Sequence, residues 1–166
     1  MENRHFVFYS DVMGIEIERK FLVKTDLWQP KDPGVKFMQG YLSEDPERTV
    51  RARIAGEKAF LTIKGKSRGP SRREFEYDIP IEDARELLEE LAFKPLIEKT
   101  RYLQEVGHHT WEVDVFAREN QGLVVAEIEL ATVDEKFELP VWVGDEVTED
   151  HRYKNANLAK NPFNTW

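Results

Sequence analysis

Apolar and polar residues alternate with a period of two along most of the chain. Successive side chains of a strand point to opposite faces, so this period belongs to half-buried β-strands. In the first segment Ile15, Ile17, Phe21 and Val23 share one face, while Glu16, Glu18 and Lys20 share the other. Similar segments at roughly 35–42, 48–55, 58–66, 71–79, 96–106, 109–117 and 122–130 bring the expected strands to eight. Turn chemistry separates them: Ser43-Glu44-Asp45-Pro46, Ala55-Gly56-Glu57, the stretch from Gly65 to Pro70, Gly107, and Asn120-Gln121-Gly122. A helix is expected from Pro80 to Ala92, with acids in its first turn and Leu87, Leu88 and Leu91 on one stripe. Shorter helices are expected at Val133 to Glu138 and at 152–160. The pattern predicts a mainly β chain, a closed eight-stranded antiparallel β-barrel with a few peripheral helices, because closure removes exposed edges. Residues 13–166 form one domain in this reading and residues 1–12 an N-terminal extension.

The polar positions of these strands are unusual. Like charges recur two residues apart: Glu16/Glu18, Arg51/Arg53, Lys64/Lys66, Glu74/Glu76, Lys99/Arg101, Glu112/Asp114 and Glu127/Glu129. Each such pair lies on one face of its strand, and seven of the eight expected strands carry one. Two arrangements fit. The apolar faces could form the core while the charged faces meet water, as in a half-exposed antiparallel sheet. Alternatively, the charged faces converge on the barrel lumen and the apolar faces pack outward. Like charges two apart add nothing to stability, and their repetition favours the lumen. A lumen lined by acids and bases is costly to keep dry. It suits a polyanion bound together with divalent cations, bases gripping phosphate oxygens and carboxylates holding Mg²⁺ or Mn²⁺.

Composition sharpens this picture. The 166 residues carry 24 Lys and Arg against 32 Asp and Glu, a formal net charge of −8 that argues against a broad basic surface for duplex nucleic acid. Charged residues reach 34% while hydrophobic ones hold 40%, enough for one core and too apolar for disorder. The absence of cysteine excludes disulfides, thiol catalysis and Cys-based zinc sites. No apolar run approaches the roughly 18 residues of a membrane span, and Phe6 to Tyr9 is too short for a signal-peptide core. A cytoplasmic location is the expectation. The four histidines are weak metal signals beside so many hard oxygen donors. His108-His109 is expected in a hairpin turn, Asp145, Glu146, Glu149 and Asp150 in a solvated loop, and the four tryptophans in packing roles.

Glu16-Ile17-Glu18-Arg19-Lys20 is an ExExK motif, weak when alone. It is followed by RAR (51–53), TIKGK (62–66), SRREFE (71–76), EKTRY (98–102), WEVDVF (111–116), AEIEL (126–130) and TEDHRYKN (148–155). In this order the set closely resembles the CYTH superfamily of triphosphate tunnel metalloenzymes, over about residues 14–160, and most of all its compact bacterial members. The resemblance implies an eight-stranded tunnel and divalent-metal-dependent hydrolysis of a triphosphate, foremost inorganic tripolyphosphate to pyrophosphate and phosphate. It implies metal binding by Glu16, Glu18, Asp114, Glu127 and Glu129. It implies phosphate contacts from Lys20, Arg51, Arg53, Lys64, Lys66, Arg72, Arg101, Arg152 and Lys154. Lys99 is implicated as a general base, a role open beside plain phosphate binding. Glu74 and Glu76 are read as balancing charges, and Glu112 as a neighbour of Asp114. The alternatives are a class IV adenylate cyclase, a thiamine or nucleoside triphosphatase, and a non-catalytic polyphosphate-binding module. The expected partner is a small-molecule triphosphate, with no duplex nucleic acid and no membrane, and a homodimer is left open.

Overall fold

A computed structural model describes residues 14–166; the N-terminal extension expected at 1–12 lies outside the described residues. Among the described residues, nine antiparallel strands follow the alternation of the sequence: β1 (Ile15–Val23), β2 (Val35–Ser43), β3 (Arg48–Ala55), β4 (Lys58–Gly65), β5 (Ser71–Asp78), β6 (Ile97–Val106), β7 (His109–Phe116), β8 (Val124–Glu129) and β9 (Val143–Glu146). The sheet runs β5-β4-β3-β2-β6-β7-β8-β1-β9, and an added pairing of β5 with β1 closes the first eight into a barrel. β1 carries the seam. Ile15 to Ile17 pair with Ser71 to Arg73 of β5, Glu18 to Leu22 pair with Val125 to Glu129 of β8, and Phe21 and Val23 pair with β9.

The expected barrel is therefore present, with one strand more than the alternation shows. β9 is only four residues, Val-Gly-Asp-Glu, and falls where an acidic loop is expected. Glycine and acids have low strand propensity, so its pairing comes from β1 and not from its own sequence. Glu146 of this strand is paired with Arg19.

The outward faces hold most of the apolar mass. Phe21, Trp111, Val113, Ala126 and Ile128 point outward and are covered by Trp28, Leu130 and Trp142 from the flanking loops and by Val143 of β9. Fully burying side chains of this size contributes about 1.5–3 kcal/mol each. Trp28 Nε1 donates to Gln104 Oε1 at 3.1 Å, which satisfies its polar end. Over β3 and β4 lies α1 (Ile81–Glu86), continued by a wider π turn (Leu87–Leu91) over β2 and β3, with Leu88 and Ala92 packed on Ala52. Gly40 is what lets this segment approach: a Cβ there would stand 2.7 Å from both Ala92 Cβ and Leu96 Cδ2.

The helix expected at Val133 to Glu138 is absent; these residues form an irregular segment. Six residues are too few to hold a helix without tertiary support. Here tertiary contacts pull the other way, since Phe137 packs edge-on against Trp111 with centroids 5.8 Å apart and Glu135 accepts from His109 Nε2 at 2.8 Å. The turn expected at His108-His109 covers Gly107 and His108 only, because His109 already begins β7. Near the C-terminus a 3-10 turn (His151–Tyr153) leads into α2 (Asn155–Lys160). Leu158 and Ala159 of α2 pack on Tyr41, Ile97, Phe116 and Val125. Those four share their strands' inner face with charged residues, so α2 caps one end of the barrel. Among the described residues no helix is long and apolar enough to cross a membrane.

Candidate active site

Strand phase decides what fills the barrel. With Ile17, Phe21, Val113 and Ile128 turned outward, their alternate neighbours must turn inward. They enclose a cavity of about 740 Å³ lined by Glu16, Glu18, Lys20, Arg51, Arg53, Lys64, Arg72, Lys99, Arg101, Glu127 and Glu129, with Lys66 and Lys154 beside them. The charged faces converge on the lumen, and the solvated-face arrangement is excluded. Two residues of the expected set stand apart from the lining. Asp114 is fully buried behind Lys99 and Arg101. Arg152 points outward, bonded to Asp150 at 2.6 Å and set over the Trp166 ring at 5.2 Å. Lys66 follows the end of β4 at Gly65, and its exposed amine pairs with Glu47 at 3.3 Å.

Inside, acids and bases are interleaved so that most charges find a partner. Arg101 donates to Asp114 at 2.7 and 2.6 Å and to Glu127 at 3.0 Å, and it also binds Glu112. Lys99 Nζ lies 2.5 Å from Asp114, and Lys20 Nζ lies 2.7 Å from Glu127. On the opposite wall Arg53 Nη2 donates to both oxygens of Glu76 at 3.0 and 2.9 Å. Lys64 joins Glu16 at 3.0 Å and Glu74 at 2.5 Å, while Arg72 Nε reaches Glu16 at 3.0 Å. Glu74 and Glu76 thus balance neighbouring bases. These are buried ion pairs, whose desolvation cost consumes much of their attraction. Such a network is a poor device for stability and a ready one for exchange, since an incoming polyanion can take over the bases.

Titration behaviour follows from this crowding. Burial works against ionisation of Glu16, Asp114 and Glu127, yet adjacent bases outweigh it and hold all three below the usual carboxylate range. Lys64 and Arg72 do this for Glu16, Arg101 and Lys99 for Asp114, and Lys20 and Arg101 for Glu127. Burial moves Lys99 down to about 8, with Arg101 adding to the shift and Asp114 opposing it. Burial and the neighbouring Arg51 bring Arg53 down to about 10.

Glu18 and Glu129 behave differently. They face each other directly across the β1–β8 ladder. Among the described residues neither forms an ion pair or a side-chain hydrogen bond. Burial and the carboxylates of Glu127 and Glu16 push Glu18 up to about 8. Partial burial and Glu16, Glu112 and Glu74 push Glu129, the more exposed of the two, up to about 7. Among the described residues no three carboxylate or imidazole groups already converge as a ligand set. Two facing carboxyls with no direct base partner nonetheless fit a hard divalent cation, which would supply the positive charge that Lys20 and Lys64 provide only in part.

One wall of the tunnel was not marked by any charge motif. β2 is the one of the eight barrel strands for which the sequence shows no like-charge pair, and its inner face is Phe37, Gln39 and Tyr41, all buried. Gln39 lies opposite Arg53, and neither atom of its amide has a hydrogen-bond partner among the described residues. Buried amides are seldom left so, and this one sits beside Arg53 behind the cavity lining. Thr62, opposite Arg51 and donating to Glu76 at 2.8 Å, is a further polar member with no charge to reveal it. The available signal was negative: a strand whose inner positions break the charge pattern.

The CYTH domain model matches residues 14–161. An inorganic triphosphatase of Acetivibrio thermocellus is 50% identical over 151 residues, covering 91% of this chain and 97% of that protein. An inorganic triphosphatase of Nitrosomonas europaea is 38% identical over 148 residues, covering 87% of this chain and 96% of the relative. A crystal structure of an inorganic triphosphatase superposes with a TM-score of 0.61 at 36% identity, covering 87% of this chain and 93% of that one.

Proposed function

The chain belongs to the CYTH family, and from that premise we propose that it hydrolyses inorganic tripolyphosphate to pyrophosphate and phosphate with the help of Mg²⁺ or Mn²⁺. The observation that carries this reading is the tunnel itself, where bases from β1, β3, β4, β5 and β6 surround one pair of facing carboxyls that, among the described residues, no base pairs directly. The names of the two relatives, each matched over most of its length, support the same substrate.

Phosphoryl transfer demands positioning and charge neutralisation more than covalent chemistry. Arg51, Arg53, Arg72 and Arg101 offer planar forks that bind phosphate oxygens in pairs, and Lys20, Lys64 and Lys154 add point charges. As the triphosphate enters, these groups exchange carboxylate partners for phosphate oxygens, so the desolvation cost has already been met in the folded protein. Glu18 and Glu129 would hold the cation, with Glu16 and Glu127 close by. When bound, the cation supplies Lewis-acid stabilisation of charge on the departing pyrophosphate.

The reaction also needs a proton acceptor for the attacking water. Lys99 fits this role, since burial sets its amine at about 8 and leaves a useful neutral fraction near physiological pH. Asp114, ion-paired with it, orients Nζ and offsets the positive charge that forms there when the proton is taken up. Lys66 lies at the mouth, where it meets the triphosphate before the tunnel does.

Phosphate and cyclic AMP should be quantified after incubation with Mg²⁺ and tripolyphosphate, ATP or thiamine triphosphate in parallel. Phosphate released fastest from tripolyphosphate supports the proposal. Cyclic AMP as the main product from ATP, or inert tripolyphosphate, overturns it.

A further inference from the structure

Phe37 is buried at 3% exposure, yet it belongs to none of the three hydrophobic clusters among the described residues. It lies inside the barrel, opposite Lys99 on β6 and Ala55 on β3. Three cations gather on its ring. Arg53 Cζ is 5.3 Å from the ring centroid, Arg101 Cζ 5.2 Å and Lys99 Nζ 5.9 Å. Phe60 backs Arg53 at 5.3 Å and Phe116 backs Lys99 at 5.4 Å. Cations within about 6 Å of a ring centroid are attracted by the negative π face, the more so where water is excluded.

These cations have reason to separate. Arg101 and Arg51 both press on Arg53, and Arg101 presses on Lys99. Their carboxylate partners hold them together but use the N–H groups that a phosphate would need. Asp114, Glu112 and Glu127 occupy the fork of Arg101, and Glu76 occupies an edge of Arg53. A ring contact makes no such demand. It draws the cation to the π face without placing a carboxylate oxygen on any N–H group.

We propose that Phe37 is a positioning residue: its π face keeps Arg53, Lys99 and Arg101 clustered while their N–H groups pass from carboxylates to the triphosphate. It acts through these three residues and not on the reacting atoms. The proposal rests on the triphosphate reading for what the cations bind. It also gives the uncharged inner face of β2 a purpose, since the strand without a like-charge pair supplies the surface on which the others' charges rest.

The test replaces Phe37 with phenylalanines bearing one to five ring fluorines, which keep the ring's shape and drain its π face, and adds Phe37→Leu, which removes the ring. In the substrate-free protein, rotation of the Arg53 and Arg101 guanidinium groups about Nε–Cζ is followed by nitrogen NMR; in the loaded protein, kcat/KM for tripolyphosphate is measured with Mg²⁺. Rotation should quicken stepwise along the series, and kcat/KM should fall stepwise, by about tenfold at five fluorines, with Phe37→Leu at least as impaired. Rotation rates that stay flat across the series overturn the proposal. So does a rise in rotation with kcat/KM unchanged, since the ring would then hold the cations without serving the reaction. A wild-type protein that does not turn over tripolyphosphate removes the triphosphate reading instead, and the NMR series still decides whether the ring holds its cations.

Discussion

Glu18 and Glu129 are direct cross-strand partners inside the barrel, and neither is paired with a base among the described residues. Like charges directly opposite one another weaken a sheet. In a tunnel where almost every other charge is matched, this one mismatch points to a cation as the missing member.

The mismatch has a signature in the metal-free protein. A carboxyl raised to about 8 when folded binds its proton more tightly than in the unfolded chain. Its contribution is therefore intact below the unfolded value near 4.5 and is lost as pH rises through about 8. In chelator, Glu18→Gln should melt higher than wild type at pH 9, with the gap closing toward pH 5. Equal melting temperatures across that range, in a pH series of thermal scans, would count against the strained pair.

Lys99 separates proton transfer from plain binding. Arginine keeps the charge at every working pH and cannot serve as a base. Lys99→Arg should lose about 100-fold or more in kcat, with KM for tripolyphosphate changed only a few-fold. Steady-state kinetics at saturating Mg²⁺ read both, and near-normal kcat would leave Lys99 as a phosphate ligand alone.

Arg101 is the hub of the buried network, touching Asp114, Glu112 and Glu127. Its removal leaves Glu112 without a base among the described residues and takes one of two bases from Asp114 and from Glu127. Arg101→Met should cost about 3–5 kcal/mol of stability by denaturant titration, an effect far larger than an exposed ion pair would produce. Losing as little as an exposed pair would show that the network relaxes freely or is solvated.

Most of the site was legible because it was written in charge. The period-two alternation placed eight strands, and pairs such as Arg51/Arg53 and Glu127/Glu129 marked their inner faces. Composition alone could not say which face was inside; Trp111 and Ile128, buried under Trp142 on the outer side, decided it. What stayed hidden carried no charge or depended on long-range pairing. Phe37 and Gln39 look like ordinary strand residues until β6 brings Lys99 and Arg101 over the ring. β9 exists because the second half of β1 needs a partner beyond β5. The segment 133–138 has a helical composition, but its Phe137 is taken by the outer aromatic cluster. Asp114 was found as a charge, whereas its burial behind Lys99 was not readable from spacing.

Phosphate release from tripolyphosphate, followed at rising Mg²⁺ for wild type and Glu18→Gln, tests the metal-dependent tunnel most directly. Wild type should turn over only with the cation and stop in EDTA, while Glu18→Gln, still folded, should lose about 100-fold or more in kcat. Turnover that persists in EDTA, or a Glu18→Gln protein as active as wild type, would contradict it.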